Sequence, residues 1–418
     1  MLARFKKNTK EKSEQNVVEA VSMSATVFIN AWGSCVLYRR CLLGRVTRHF
    51  STIGFLVWVL RLVTFFYLTY IVFKEDQSIV RSFVTTKLHH YGDHYESITA
   101  IIFITYLFWK LPFDLNGATE YYQILVDIDE ELKTLGEEAD YVTQGRCSLF
   151  LMIMQVVVSF LHATSTYGTL CFIDEHVPLP KVFTLTFIDT CSLLLTATYC
   201  NYVSMVTRRY RRVNQILSEI IELESLHDKV YVLNQNFVEE NGARCLLKSR
   251  DNQLRATVRK CADIHSKLYK ATQMANQKFG PALVFIFILP LTYIILNLFY
   301  FVEATSQGLL FRDLKRYLSF VMYISWAVVH NWLVIYLSVR FSEDTVLEAN
   351  KTSVIVHDLL NLEMNSEIRE EAMLLSMQLL HQVPRFTANG LFNLDYPLLV
   401  EGSRFVTTFM GLLLQFAT

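Results

Sequence analysis

Apolar and polar positions along this chain fall into long blocks rather than a fine alternation. Seven stretches stay apolar over roughly the 20 residues that a helix needs to cross hydrocarbon: 51–73, 94–113, 145–172, 179–206, 278–304, 316–341 and 394–416. An eighth, VSMSATVFINAWGSCVLY at 21–38, is broken by Ser, Asn and Gly and flanked by charge, and predicts an interfacial or re-entrant helix ahead of the first span. Between the blocks, residues 201–225 and 252–277 place apolar side chains at helical spacing among charges. They read as cytosolic continuations of the fourth and fifth helices, amphipathic enough to pack together. The intervening LHDKVYVLNQNFVEENGARC, 226–245, reads as irregular or mobile. Residues 342–382 are again helical by pattern, with a break at Asn365–Ser366 that predicts two helices.

Composition agrees with a membrane chain. Apolar residues make up 52% of the 418 positions and aromatics 13%, against only 7 prolines. Lys plus Arg and Asp plus Glu balance at 39 each, so no overall charge points to nucleic acid, and the placement of the charges carries the information. Lys and Arg are retained on the cytoplasmic side of a membrane. With the N-terminus inside, the inner segments hold 26 basic residues and the outer ones 5, which orients the N-terminus to the cytoplasm and the C-terminus outward. The expected architecture is all-α and polytopic. A cytosolic N-terminal segment with its interfacial helix fills 1–50, helices one to four 51–206, and cytosolic loop helices 207–277. Helices five and six fill 278–341, cytosolic anchor helices 342–389 and the last helix 390–418.

Several function classes fall away. The basic, hydrophilic start MLARFKKNTKEKSEQ predicts no removable signal peptide. Eight scattered cysteines without CxxC pairs read as small apolar residues and free thiols, not as a disulfide or zinc framework. There is no HExxH, GxSxG or glycine-rich phosphate loop, so no catalytic residue, cofactor or metal site is expected. Seven unequal spans with one long inner loop lack the repeated halves of a transporter. A G-protein-coupled receptor would have the opposite orientation and the DRY and NPxxY motifs, both absent. On this topology the sequon Asn350-Lys351-Thr352 lies in the cytoplasm, where glycosylation is not expected.

The chain ends TTFMGLLLQFAT, and Thr408 to Phe416 resembles the TYhhhhhQF signature (h, apolar) of insect gustatory receptors, with Phe409 in place of the tyrosine. QLLHQVPRFTANGLFNLDYPLL at 378–399 is similar to that family's run into its last helix, and length, span number, orientation and the large inner loop agree along the whole chain. The resemblance implies a tastant-gated, non-selective cation channel in a sensory-neuron cell membrane. It implies a homotetramer, with a different subunit left open as a companion, whose seventh helices line a central pore. A cytosolic bundle of loop helices holds the subunits together, and a sugar or bitter compound binds in an outward-facing pocket among helices two to six. A seven-helix receptor signalling through a cytosolic partner is the alternative.

One face of the last helix carries Glu401, Phe405, Thr408, Leu412, Gln415 and Phe416 at steps of three or four. Turned toward a shared axis, it would present a hydroxyl at Thr408, an apolar collar at Leu412 and Phe416 that closes by excluding water, and the Gln415 amide at the mouth. Glu401 and Arg404 depart from the family's small, apolar character there, and at i, i+3 they are expected to pair and reach toward the cytosol. Polar groups within spans need partners or a cavity. Those at similar depth are His162, Tyr167, Asp189, Asn297, Tyr300, Tyr323, Trp326 and His330, a set of rings and hydrogen-bonding groups suited to a sugar or a planar alkaloid, with Trp326 and Tyr323 foremost.

Overall fold

The computed structural model describes residues 37–42, 45–50, 52–83, 89–110, 117–173, 176–234, 240–362 and 365–417. A hairpin, β1 (Leu37–Leu42) and β2 (Arg45–Phe50), precedes the helices α1 (Thr52–Lys74), α2 (Ile79–Phe83), α3 (His89–Lys110), α4 (Gly117–Thr134) and α5 (Tyr141–Phe172). Then follow α6 (Leu179–Asn234), α7 (Glu240–Ser306), α8 (Leu309–Arg312), α9 (Leu314–Leu360), α10 (Ser366–His381) and α11 (Tyr396–Ala417). By length and composition, α1, α5 and the stretches 179–224, 250–306 and 314–360 are apolar enough to cross a membrane. Helices α3 and α11 occupy the other two expected spans, and both are more polar: α3 opens on HHYGDHYE and α11 holds Glu401 and Arg404.

The helical expectation holds for the bundle, to which β1 and β2 add a short antiparallel hairpin with Leu37 opposite Phe50. Val46 and Thr47 are β-branched, which favours a pleated strand over a helical turn. The hairpin is tied to α4 by the Val46 amide, which donates to Gln123 Oε1 at 3.0 Å. The interfacial helix predicted over 21–38 lies outside the described residues except at Leu37 and Tyr38, which begin β1. Finally, the stretch 226–245 read as irregular is helical up to Asn234 and again from Glu240. With 56 residues, α6 extends about 84 Å at 1.5 Å per residue, far beyond hydrocarbon about 30 Å thick. The predicted break is observed where expected: α10 starts after Asn365, whose side chain accepts from the Glu367 amide as an N-cap.

Part of the core forms where α4, α6, α7 and α9 meet. Helix α4 follows the amphipathic pattern, with Tyr121, Leu125, Ile128 and Leu132 buried at i, i+4, i+7 and i+11. Tyr121 stacks on Tyr202 with ring centroids 4.6 Å apart and donates its hydroxyl proton to the Tyr202 carbonyl at 2.7 Å. Two helical turns further along, Arg209 makes a two-pronged bond to Asp129, 2.8 Å from Nε and 2.6 Å from Nη2, with both residues buried. Tyr141 supplies a third donor to Asp129 at 3.1 Å, so this buried charge pair is fully bonded, the condition under which it is tolerated.

A polar seam joins α6 to α9. Tyr199 and Ser342 share a hydrogen bond at 2.6 Å, as do Thr207 and Thr345, and Thr352 donates to Asn214 Oδ1 at 2.6 Å. All of these groups are buried, Thr352 of the sequon included. The segment before α11 docks on α7 at Gly280, where a Cβ would stand 3.0 Å from the Asn389 amide nitrogen. Asn276 clasps it from both sides, donating to the Arg385 carbonyl at 2.6 Å and accepting from the Thr387 amide at 3.1 Å.

His265 on α7 is the unusual member of this core. It is 1% exposed, it meets the Tyr210 ring edge to face at 5.3 Å, and neither of its ring nitrogens has a hydrogen-bond partner. Burial disfavours the imidazolium and pushes its pKa from 6.5 down to about 4. The unfolded chain therefore binds the extra proton first. The stabilising contribution of neutral His265 is complete above about pH 6.5 and is lost as pH falls toward about 4, by up to about 3 kcal/mol. Thermal unfolding of the detergent-solubilised protein across that range should lose this slope in His265→Leu; equal slopes in both proteins would contradict the assignment.

Candidate functional site

A cavity opens among α3, α5, α6, α7 and α9, with Val80 of α2 at its edge. Helix periodicity explains its walls. On α7, Tyr293, Leu296, Asn297 and Tyr300 recur at i, i+3, i+4 and i+7, so one stripe faces the space. Helix α9 contributes Tyr323, Ala327 and Asn331 in the same way, α6 contributes Leu185, Ile188 and Asp189, and α5 contributes His162. Gly92, Asp93 and Glu96 come from α3. The volume is about 60 Å³, room for a few waters and well below the several hundred Å³ that a drug-sized ligand needs.

Charge in the cavity is predominantly acidic. Asp93, Glu96 and Asp189 line it, and Lys181, 3% exposed, answers Glu96 with a 2.7 Å ion pair. Asp93 Oδ2 is buried with no hydrogen-bond partner. Tyr293 hydroxyl bonds Thr99 at 3.0 Å, and the Asn297 amide is turned back to the Tyr293 carbonyl at 2.8 Å. Gly92 has a steric role: a Cβ there would fall 1.7 Å from the Tyr300 hydroxyl oxygen, so only glycine lets this ring lie against α3.

Of the eight residues singled out in the sequence, His162, Asp189, Asn297, Tyr300 and Tyr323 line this one space. His330 stands just behind, with Nε2 3.4 Å from Asp189 Oδ1. The remaining two are placed elsewhere. Trp326 does not line the cavity; it lies one helical turn before His330 with its ring 6.3 Å from His162. Tyr167 is 49% exposed on the outer side of α5, because five residues carry it past the inward face marked by His162. Sequence reading passed over Gly92, Asp93, Glu96, Tyr293 and Asn331. Asp93 and Glu96 look like the polar rim of a span until Lys181, 85 residues further on, folds against them.

Helix α11 is packed on one side only. Val406 is buried with Ile294 and Ile295 of α7, Met410 and Leu413 pack on the same cluster, and Gly402 faces Leu291. On the opposite side Phe405, Thr408, Leu412 and Gln415 are exposed, while the Phe416 side chain lies outside the described residues. Thr408 donates its hydroxyl proton to the Arg404 carbonyl at 2.9 Å, and Arg404 pairs with Glu401 at 2.6 Å.

Such an architecture, a helical membrane bundle with an inner cavity and a half-covered last helix, is that of a seven-transmembrane chemosensory receptor, and the chain belongs to that family, whose model, described as 7tm Chemosensory receptor, matches residues 33–418. Within the family its likeness is to insect gustatory receptors. It is 24% identical to gustatory receptor 28b of Drosophila melanogaster over 355 residues, 83% of this chain and 74% of that protein. To gustatory receptor 28a of the same species it is 25% identical over 364 residues, 82% and 80%. Among solved structures it is similar to the insect olfactory receptor OR5 from Machilis hrabei. The TM-score is 0.59 at 10% identity, covering 93% of this chain and 96% of that one. For OR5 in complex with eugenol the TM-score is 0.57 at 12% identity, covering 87% and 88%. The chain is thus a multi-pass membrane protein.

The close approach at Gly92 yields a direct test. Gly92→Ala should destabilise the protein by about 1–3 kcal/mol through overpacking, and Tyr300→Phe in the same chain should restore part of that loss by removing the oxygen. A melting-temperature cycle over the four proteins measures it, and strictly additive effects would refute the contact.

Proposed function

We propose that the chain is one subunit of a tastant-gated, non-selective cation channel with seven spans, its N-terminus in the cytoplasm and its C-terminus outside. Four subunits surround a pore lined by α11. A sugar or bitter compound enters the cavity among α3, α5, α6, α7 and α9 from outside. The observation that carries this reading is the two-sidedness of α11. Gly402, Val406, Met410 and Leu413 face the chain's own helices, while Phe405, Thr408 and Leu412 stand exposed on the opposite side. Exposed rings and leucine form the collar that excludes water when the copies converge, and Gln415 supplies the amide at the mouth. Glu401 and Arg404 neutralise each other, so selectivity does not come from an unpaired charge at the inner end.

Helix α7 supplies the coupling. Its stripe at Tyr293, Asn297 and Tyr300 faces the cavity, and the neighbouring stripe at Leu291, Ile294 and Ile295 carries α11. A ligand larger than the present 60 Å³ must push these helices apart, and the wall it moves is the support of the pore helix. Moving a channel from about 1% to 99% open takes roughly 5.5 kcal/mol, or about 1.4 per subunit when four sites share it. One hydrogen bond made only in the open state is of that size. The surplus of carboxylates and the unpaired Asp93 oxygen favour a ligand rich in donors, an amine or a polyol. OR5 accommodates the small molecule eugenol in this fold, which supports a small organic ligand here.

Two measurements decide. In excised patches carrying this chain alone, tastant-evoked current should persist without cytosol, and a response seen only in intact cells with G protein would favour the partner-signalling reading. Leu412→Ala should raise resting leak by shrinking the collar, whereas Asp93→Asn should leave leak unchanged and weaken a cationic tastant by about 10-fold or more. An unaltered leak removes Leu412 from the gate, and an unaltered dose response removes Asp93 from the cavity's recognition.

A further inference from the structure

Three helices bring His162, Asp189 and His330 to one point. His162 Nδ1 is 2.5 Å from Asp189 Oδ2, His330 Nε2 is 3.4 Å from Asp189 Oδ1, and the two imidazoles lie 5.5 Å apart at 24°. One ligand-type atom from each residue falls within 4.8 Å of the others. Both histidines are buried, 7% and 3% exposed. Closeness does not bring hydrogen bonding: Asp189 Oδ2, both nitrogens of His162 and His330 Nδ1 have no partner in hydrogen-bonding alignment. Leaving His162 Nε2 and His330 Nδ1 unanswered beside a carboxylate that both imidazoles face is expensive at membrane depth. Asp93 and Glu96 on the same cavity make another acidic charge more costly, and Lys181 is already paired to Glu96.

A cation held between the three residues would take one nitrogen from each imidazole and an oxygen from the carboxylate between them. Two imidazoles and one carboxylate are a borderline donor set suited to divalent transition metals of the zinc kind and unsuited to calcium or magnesium, which take oxygens. Nitrogen and oxygen ligands at about 2.0–2.2 Å from a tetrahedral zinc ion stand about 3.4 Å from one another, a spacing that small side-chain rotations reach from the observed one. His162 and Asp189 line the cavity while His330 closes the site from behind, so the fourth position faces the ligand space. Ala327, one turn before Asn331, keeps that side free of a bulky side chain. We propose that His162, Asp189 and His330 bind one divalent transition-metal ion of the zinc class, with an open coordination position directed into the cavity. The site stands apart from the channel reading, since it requires only that these three side chains converge.

The test uses the full chain purified in detergent without a polyhistidine tag, stripped with a chelator and titrated with cobalt(II). Visible absorption of a four-coordinate ion should saturate at one equivalent per chain, and zinc(II) should displace it. His330→Gln and Asp189→Asn should each weaken binding by more than about 100-fold, since even residues behind a metal's ligands are worth 10–100-fold. The exposed His381→Gln should bind as the wild type does. X-ray absorption of the zinc-loaded wild type, which depends on no variant folding, should show scattering from two imidazoles and no sulfur. Absence of saturable binding, a sulfur shell, or triad variants that bind like the wild type would each overturn the site, leaving a proton shared between Asp189 and its histidines as the cluster's only neutralising partner.

Discussion

The hydrogen-bonded seam between α6 and α9 is the constraint on which the rest hangs. Small hydroxyls and one amide at Thr207, Asn214, Ser342, Thr345 and Thr352 let two long rods approach closely and lock their register, because a slip by one residue would strand every buried donor. The same rods carry the site. Asp189 lies on α6 and His330 on α9, so the register that joins Thr207 to Thr345 also brings the carboxylate to the imidazole. The Arg209–Asp129 pair then fastens α4 to α6, and α4 holds the hairpin through Gln123.

Around this spine the chain divides labour by helix face. Helix α7 presents one stripe to the cavity, a second to α11 and, deeper, Gly280 and Asn276 to the segment preceding α11. Asn389 and Gly390, both in the left-handed region at φ 52° and 77°, let that segment turn sharply beside α7 before α11 begins. The N-terminal end of α11 is thereby pinned, while Val406, Met410 and Leu413 further along make apolar contacts with α7.

How much of this could be read from the chain depends on whether the deciding interaction is local. Apolar blocks and helical periodicity are local, and they marked out the long apolar helices, the continuations of α6 and α7 beyond their apolar blocks and the Asn365 break, while α4 and the short α2 and α8 were passed over. The hairpin escaped because six-residue strands rich in arginine lack a clean apolar alternation. The helical ends around 226–245 escaped because their apolar residues trace no consistent face. In the site, Tyr300, Tyr323, Asn297, Asp189 and His162 announced themselves as polar groups inside greasy stretches. Which of them share a space was not legible: Trp326 and His330 are one turn apart on α9, yet only His330 turns toward Asp189. The His162–Asp189–His330 cluster draws on three helices, so no spacing along the chain marks it.

The length of α6 and α9 has one more effect. Each is a single uninterrupted rod running from the cavity to the far end of the bundle, with no hinge glycine or proline between Asp189 and Asn214 or between His330 and Thr352. A rigid beam transmits rotation in both directions. If occupancy of the cavity turns either beam, then whatever grips its far end, a lipid, a neighbouring chain or an antibody fragment, must alter the affinity of the cavity's ligand by the factor with which that ligand alters the grip.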